Sequence, residues 1–360
     1  MKKIFYMAVS AVILAAGCQK TEIQNEALTP IGFNAVMGKL TKGTPDALTS
    51  TSDVNLKEQG FKVWAYFATA EDLNYNEGDL YLGTVVTEGE GASAVTRHEG
   101  VDVTFENNTW ATSEMYYWPG KNKDLAIFAV SLWNNDFSYT NVVPSYNDKK
   151  VTVSDFVVTA GADNDLMVAA MIKQNQDSDT HIKPYFQHAL TKVLLNFGTN
   201  QTDSEVYVVG AKIKSVKSTG DLVVTNTYDN AEAKYVADFA WTTDAATADY
   251  PAQYTDLTNI TFGGTSLPAV KLSAVASEII TFGSWLFIPQ TSLDNVKLEV
   301  DYIVEGTRTV QTFDLKVAGK VESWGRNIQT TYNMIISPDF ITFEPDVKEW
   351  QETDPEGRDS

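Results

Sequence analysis

The sequence predicts an all-β chain, and three observations carry that prediction. Short runs rich in Val, Thr, Tyr and Phe recur along it, broken by Gly, Asn and Asp, the pattern of strands and turns. No long, capped run of helical periodicity interrupts them. The 360 residues are 43% hydrophobic and 11% aromatic, enough to fill a core in each of two ordinary domains.

Charge narrows the function. A net charge of −20 argues against nucleic acid, whose phosphates need a basic surface, and disfavours adsorption to anionic lipid heads. Most of these carboxylates read as solvated surface.

The amino terminus has the shape of a secretory signal. Lys2 and Lys3 precede an apolar run from Ile4 to Ala16, too short to span a membrane comfortably. The run ends Leu14-Ala15-Ala16-Gly17-Cys18, and small residues directly before a cysteine resemble a bacterial lipobox, whose thiol is acylated. Leu14 stands four residues before Cys18, where three is usual. The alternative is an ordinary signal cut after Gly17, leaving a free thiol. Cys18 is the only cysteine, so no disulfide forms within the chain. Residues 1–17 are thus read as signal peptide and 18–29 as a lipidated tether.

Residues 30–37 form the first expected strand, with Ile31, Phe33, Ala35 and Met37 on one face. Residues 38–52 read as an exposed loop containing Lys39 and Lys42. Residues 61–67 alternate Phe61, Val63, Ala65 and Phe67 with Lys62, Trp64 and Tyr66. Residues 101–105 alternate strictly, and Asn107-Asn108 marks a turn. Residues 125–130 are continuously apolar, as in a central strand. Residues 165–170 form the next run. The polar segment 173–180 has nothing to bury and reads as a linker.

Residues 185–197 then read as the first strand of a second domain, although Phe186, Leu190, Val193 and Leu194 also fit a helix. Residues 206–216 and 221–227 look like a hairpin joined around Gly220. Residues 279–289, 296–304, 307–317, 330–337 and 340–343 complete the strands, with Glu305-Gly306 as a turn. The expected domains are 30–174 and 181–350, followed by an acidic tail, 351–360.

Several stretches together resemble the fimbrillin family of Bacteroidetes, the type V pilins. They are Trp118-Pro119 before the apolar run, Asp165-Leu166-Met167, Phe186-Gln187-His188 and Thr191-Lys192-Val193. Further on come Phe287-Ile288-Pro289-Gln290, Asn327 before Tyr332, and Ile341-Thr342-Phe343 before Val347 and Trp350. The resemblance implies two transthyretin-like Greek-key β-sandwiches in tandem and export as a lipoprotein to the outer membrane or cell surface. It implies polymerisation with other fimbrial subunits by strand exchange, after a protease cuts behind a basic residue. Lys39 and Lys42 would be the cleavage sites. Ile31 and Phe33 would leave with the removed strand. Ile341 and Phe343, also spaced two apart, would enter with the replacing one. The partners implied are other subunits, outer-membrane lipid through acylated Cys18, and a host or bacterial surface ligand.

Other chemistry finds less support. The run from Gly89 to Ala94 matches a dinucleotide fingerprint, but no helix follows to receive phosphates. Asp163 and Asp165 lack the remaining ligands of a calcium loop. His98, His181 and His188 are not spaced for zinc, and His188 reads as a packing residue. No nucleophile elbow occurs. The chain is therefore read as a non-enzyme without cofactor or metal. Trp64, Tyr66, Tyr116 and Trp133 could stack on sugars, and the competing function is a monomeric surface lipoprotein that binds glycans.

Overall fold

The computed structural model describes residues 29–37, 54–68, 76–89, 95–132, 141–159, 165–203, 205–275, 279–338 and 340–350. Cys18, Lys39, Lys42, Trp133 and Asp163 lie outside the described residues. Strands dominate as expected, and the helix Val54–Gln59 has six residues.

An eleven-stranded sheet contains most of the amino-terminal strands. Its centre is Leu125–Leu132, every residue of which is buried. Phe61–Phe67 pairs with it on one side and Leu166–Ala169 on the other. A strand covered on both faces is buried at every position, which is why residues 125–130 do not alternate, while the Ser131 hydroxyl donates to the Gly60 carbonyl. The same cover explains Trp64 and Tyr66. Alternation placed them outward, yet they are 0% and 2% exposed. Phe61, Val63, Ala65 and Phe67 face one apolar cluster, while Trp64 and Tyr66 face a second.

The expected first strand is two short ones, Gly32–Phe33 and Val36–Met37. The run lies parallel to residues 180–186. Gly32 N donates to Thr180 O at 3.0 Å, Asn34 N to Ile182 O at 2.8 Å, and Val36 N to Pro184 O at 3.1 Å. Pro184 has no N–H with which to return a bond to Asn34, so the ladder breaks there. On its other side the run bridges Pro30 to Tyr117 and pairs Phe33 with Trp110. It therefore closes the sheet on itself and leaves no edge at that place. Ile31, Phe33 and Ala35 are 8%, 6% and 2% exposed and point into the enclosed core, where Phe33 meets Phe61 edge-on at 6.0 Å.

Residues 185–197 are not one strand. Tyr185–His188 stays in the eleven-stranded sheet, and Thr191–Gly198 enters a four-stranded sheet after a bend at Ala189 and Leu190. The helical alternative is excluded. The hairpin around Gly220 is also corrected. Val206–Lys217 pairs with Lys297–Val304, whereas Thr219–Asp229 pairs with Lys150–Val157 and Lys234–Thr243. Gly220 is not a turn but a close approach, because a Cβ there would sit 2.6 Å from the carbonyl oxygen of Thr242. Two expected turns do appear. Asn107 and Asn108 have φ of 52° and 62°, and Glu305 and Gly306 have 49° and 74°, as tight hairpins of twisted strands require.

Sheet membership does not follow the boundary expected between residues 174 and 181. Val142–Ser145 and Lys150–Val157 share a four-stranded sheet with Thr219–Asp229 and Lys234–Thr243. A single apolar cluster runs from Trp64 and Phe128 through Phe156 and Leu222 to Phe287, Trp324 and Tyr332.

Gly220→Ala tests the close approach. The added methyl must push two paired strands apart, at a cost of about 1–3 kcal/mol. The denaturation midpoint should fall accordingly, and an unchanged midpoint would mean that the strands part freely.

Candidate functional site: the strand that joins the two chain ends

Tyr185–His188 has a different partner on each edge. Leu166–Ala169 pairs antiparallel with it, and Val36–Met37 pairs parallel. One edge of this strand is thus held by the start of the described chain.

Its last residue holds the other end. His188 is 2% exposed, and its Nδ1 lies 2.8 Å from Oδ2 of Asp165, which is 1% exposed. A carboxylate that deep needs a partner, since leaving it bare in the core costs several kcal/mol. The imidazole lies flat on the indole of Trp350, with ring centroids 3.5 Å apart and planes 10° from parallel. Trp350 is 4% exposed and directly follows the strand Ile341–Glu349. Lys192 Nζ stands 5.3 Å from the same indole ring. Trp350 N donates to Asn327 O at 3.0 Å, and Asn327 N to Leu190 O at 2.9 Å.

Arg326 completes the junction. Its Nη1 donates to the His188 carbonyl at 3.1 Å and to Gln187 Oε1 at 3.3 Å, and its guanidinium lies 4.0 Å over Phe239. Burial pushes the guanidinium below its ordinary pKa, with Asp238 opposing. A guanidinium keeps its charge even so, and spends it on acceptors that would otherwise be dry.

Ile341–Glu349 is an edge strand held by nine-residue pairing to Ile328–Ile336. Its side chains are far more open than those of the first strand. Ile341 and Phe343 are half-buried, and Phe343 stacks on Tyr332 at 5.1 Å. Phe340 and Val347 are 49% and 47% exposed. The structure does not bring Ile31 and Phe33 together with Ile341 and Phe343. The two pairs occupy different sheets, and Tyr185–His188 with Trp350 links them.

The remaining expected residues fall elsewhere. Trp64 and Tyr66 are core rather than sugar platforms: Trp64 Nε1 donates to the His98 carbonyl at 2.9 Å, and the Tyr66 hydroxyl meets His98 Nδ1 at 3.0 Å. Burial raises the Tyr66 phenol far above its ordinary pKa. Tyr116 is half-buried. Thr84–Glu88 and Val95–Glu99 pair with each other, so a strand, not a helix, follows the glycine-rich stretch. Among the described residues no group of three or more His, Cys, Asp or Glu is placed to hold a metal. Sequence reasoning missed the meeting of Asp165, His188 and Trp350. Each stood in a motif that carried the resemblance, but nothing in their spacing joins positions so far apart.

Comparison with known proteins agrees with this architecture. The fimbrillin-like family matches residues 68–350. A fimbrial protein of Bacteroides vulgatus aligns at a TM-score of 0.52 and 16% identity, over 89% of this chain and 99% of that one. A candidate cell adhesion protein of Bacteroides uniformis aligns at 0.50 and 15%, over 90% of this chain and 100% of that one. At such identities the likeness is one of fold. No curated protein matches. With the family match covering well over half of its 360 residues, the chain belongs to the fimbrillin-like family.

Proposed function

We propose that this chain is a structural or accessory subunit of a cell-surface fimbria, exported as a lipoprotein through Cys18 and assembled with other subunits by strand exchange. One observation carries the reading: the run 31–37 closes the first sheet with main-chain bonds and three core side chains. Burying Ile31 and Phe33 contributes about 1.5–3 kcal/mol each. Cleavage after Lys39 or Lys42 would leave this run held by non-covalent contacts alone. Its departure would bare the carbonyls of Thr180, Ile182 and Pro184 beside an apolar groove. An open strand edge of that kind takes up another strand.

The segment 340–350 is the donor in this reading. It is an edge strand with shallow side-chain burial, so its removal from its own sheet costs less than that of an inner strand. Its anchor is Trp350 on His188. Because Tyr185–His188 also pairs with Val36–Met37, loss of the first run loosens the strand that holds Trp350. Maturation at one chain end and release at the other are thereby coupled.

Four outcomes test this. Protein trimmed after Lys39 or Lys42 should form high-mass ladders while the untrimmed chain stays monomeric. Deleting residues 340–360 should abolish the ladders with the monomer still folded, and ladders that persist would remove this segment as donor. Trp350→Ala should cost about 3 kcal/mol and raise amide exchange in Ile341–Glu349 at least tenfold above that in Phe61–Phe67. Equal protection of both strands would mean that the indole is no anchor. Finally, Cys18→Ala should move the protein from the membrane fraction to the soluble or unprocessed one, since a stable anchor needs acyl chains. Unchanged partitioning would locate the anchor elsewhere.

A further inference from the structure

The carboxy-terminal part carries a cleft of about 290 Å³ beside the strand Ile280–Phe287. The cleft takes no part in strand exchange, so its chemistry is independent of that reading. Three features define it.

The first is a pair of fixed aromatic rings. Tyr254 lies face to face on Phe282, with centroids 4.9 Å apart and planes 17° from parallel. Trp285 is pinned by its Nε1 bond to the Pro251 carbonyl at 3.3 Å. The indole also packs over Gly283, where a Cβ would meet it at 2.1 Å, so only glycine admits this ring position. The second is a rim of neutral hydrogen-bonding groups: Gln253, Thr255, Thr281 and Ser284 line the opening and are exposed. No side chain lining the cleft is charged, in a chain of net charge −20. Burial, and then the charge of Asp256, raise the Tyr254 phenol above its ordinary pKa, so it stays a neutral donor. The third is main chain. Ile280–Phe287 pairs with Thr191–Gly198 on one side, and among the described residues it has no strand on the other.

We propose that this cleft binds a neutral saccharide unit. Pyranose rings offer an apolar C–H face to an aromatic ring and a girdle of hydroxyls that both donate and accept. The cleft supplies a ring face, amide and hydroxyl partners, and unpaired backbone groups of a strand edge, a few convergent polar groups around an apolar floor. Anionic sugars are rejected, since no cation waits for a carboxylate or sulfate and the surrounding field is negative. The platform is not the one that sequence reasoning named. Trp64 and Tyr66 are core, whereas Tyr254 is half-buried at the opening, with Trp285, 5% exposed, in the floor beneath it.

The test is titration of the purified full chain with neutral di- and trisaccharides of glucose, galactose, mannose and N-acetylhexosamines, and with sialylated and sulfated counterparts. Heat and tryptophan fluorescence are read together, because Trp285 lies in the floor. Saturable binding of a neutral sugar is expected, at least tenfold weaker for its anionic counterpart. Gln253→Ala is exposed and leaves the fold intact, and should weaken binding at least threefold, while Tyr254→Ala should weaken it at least tenfold. No binding by any neutral sugar, equal binding of the anionic forms, or full affinity in both variants would overturn the proposal. So would a strand-forming peptide that occupies the cleft in preference to every sugar.

Discussion

The main-chain bonding of residues 31–37 to residues 180–186 is the constraint on which the first half of the molecule depends. A sheet of this width has two edges, and each unpaired edge is a liability. Here one short run satisfies the edge at Trp110 and the edge at Ile182 together, and seals an aromatic core of Phe33, Phe61, Trp110 and Phe186. The seal is made by a run near the amino terminus, joined to the sheet it closes by main-chain bonds and side-chain packing. The proline at 184 weakens it by removing one ladder bond at its middle.

The second constraint is that the first sheet is covered on both faces. Trp64 and Tyr66 face a core that continues into the sheets of the carboxy-terminal part. That continuity accounts for the burial of Asp165 and His188, which lie where the sheets meet. A buried Asp–His pair in such a place adds specificity, because any other register would leave the Asp165 carboxyl in apolar surroundings. The stacking of Trp350 on His188 extends that specificity to the far end of the chain.

Much of the architecture was legible along the chain. The central strand announced itself by the unbroken apolar character of residues 125–130, and the Asn107-Asn108 and Glu305-Gly306 turns by residue types that accept positive φ. Errors arose where a local rule met a distant neighbour. Alternation placed Trp64 and Tyr66 outward because periodicity does not say how many faces a sheet buries. Gly220 looked like a turn because a glycine that admits a neighbouring backbone and one that reverses the chain are the same letter. Residues 185–197 looked like one strand because the bend at Ala189 and Leu190 is made by apolar residues, with no Gly or Pro to mark it.

The sequence by itself determined the strand content, the tight turns, the signal-like amino terminus with its single cysteine, and the family resemblance, because each is written in neighbouring residues. Only the tertiary structure decided which strands pair, that one sheet closes on itself, that His188 joins Asp165 to Trp350, and that Tyr254 opens onto a cleft floored by Trp285. The physical reason is common to all four. They are contacts between residues far apart in the chain, and a strand's periodicity records which face is buried without recording what buries it.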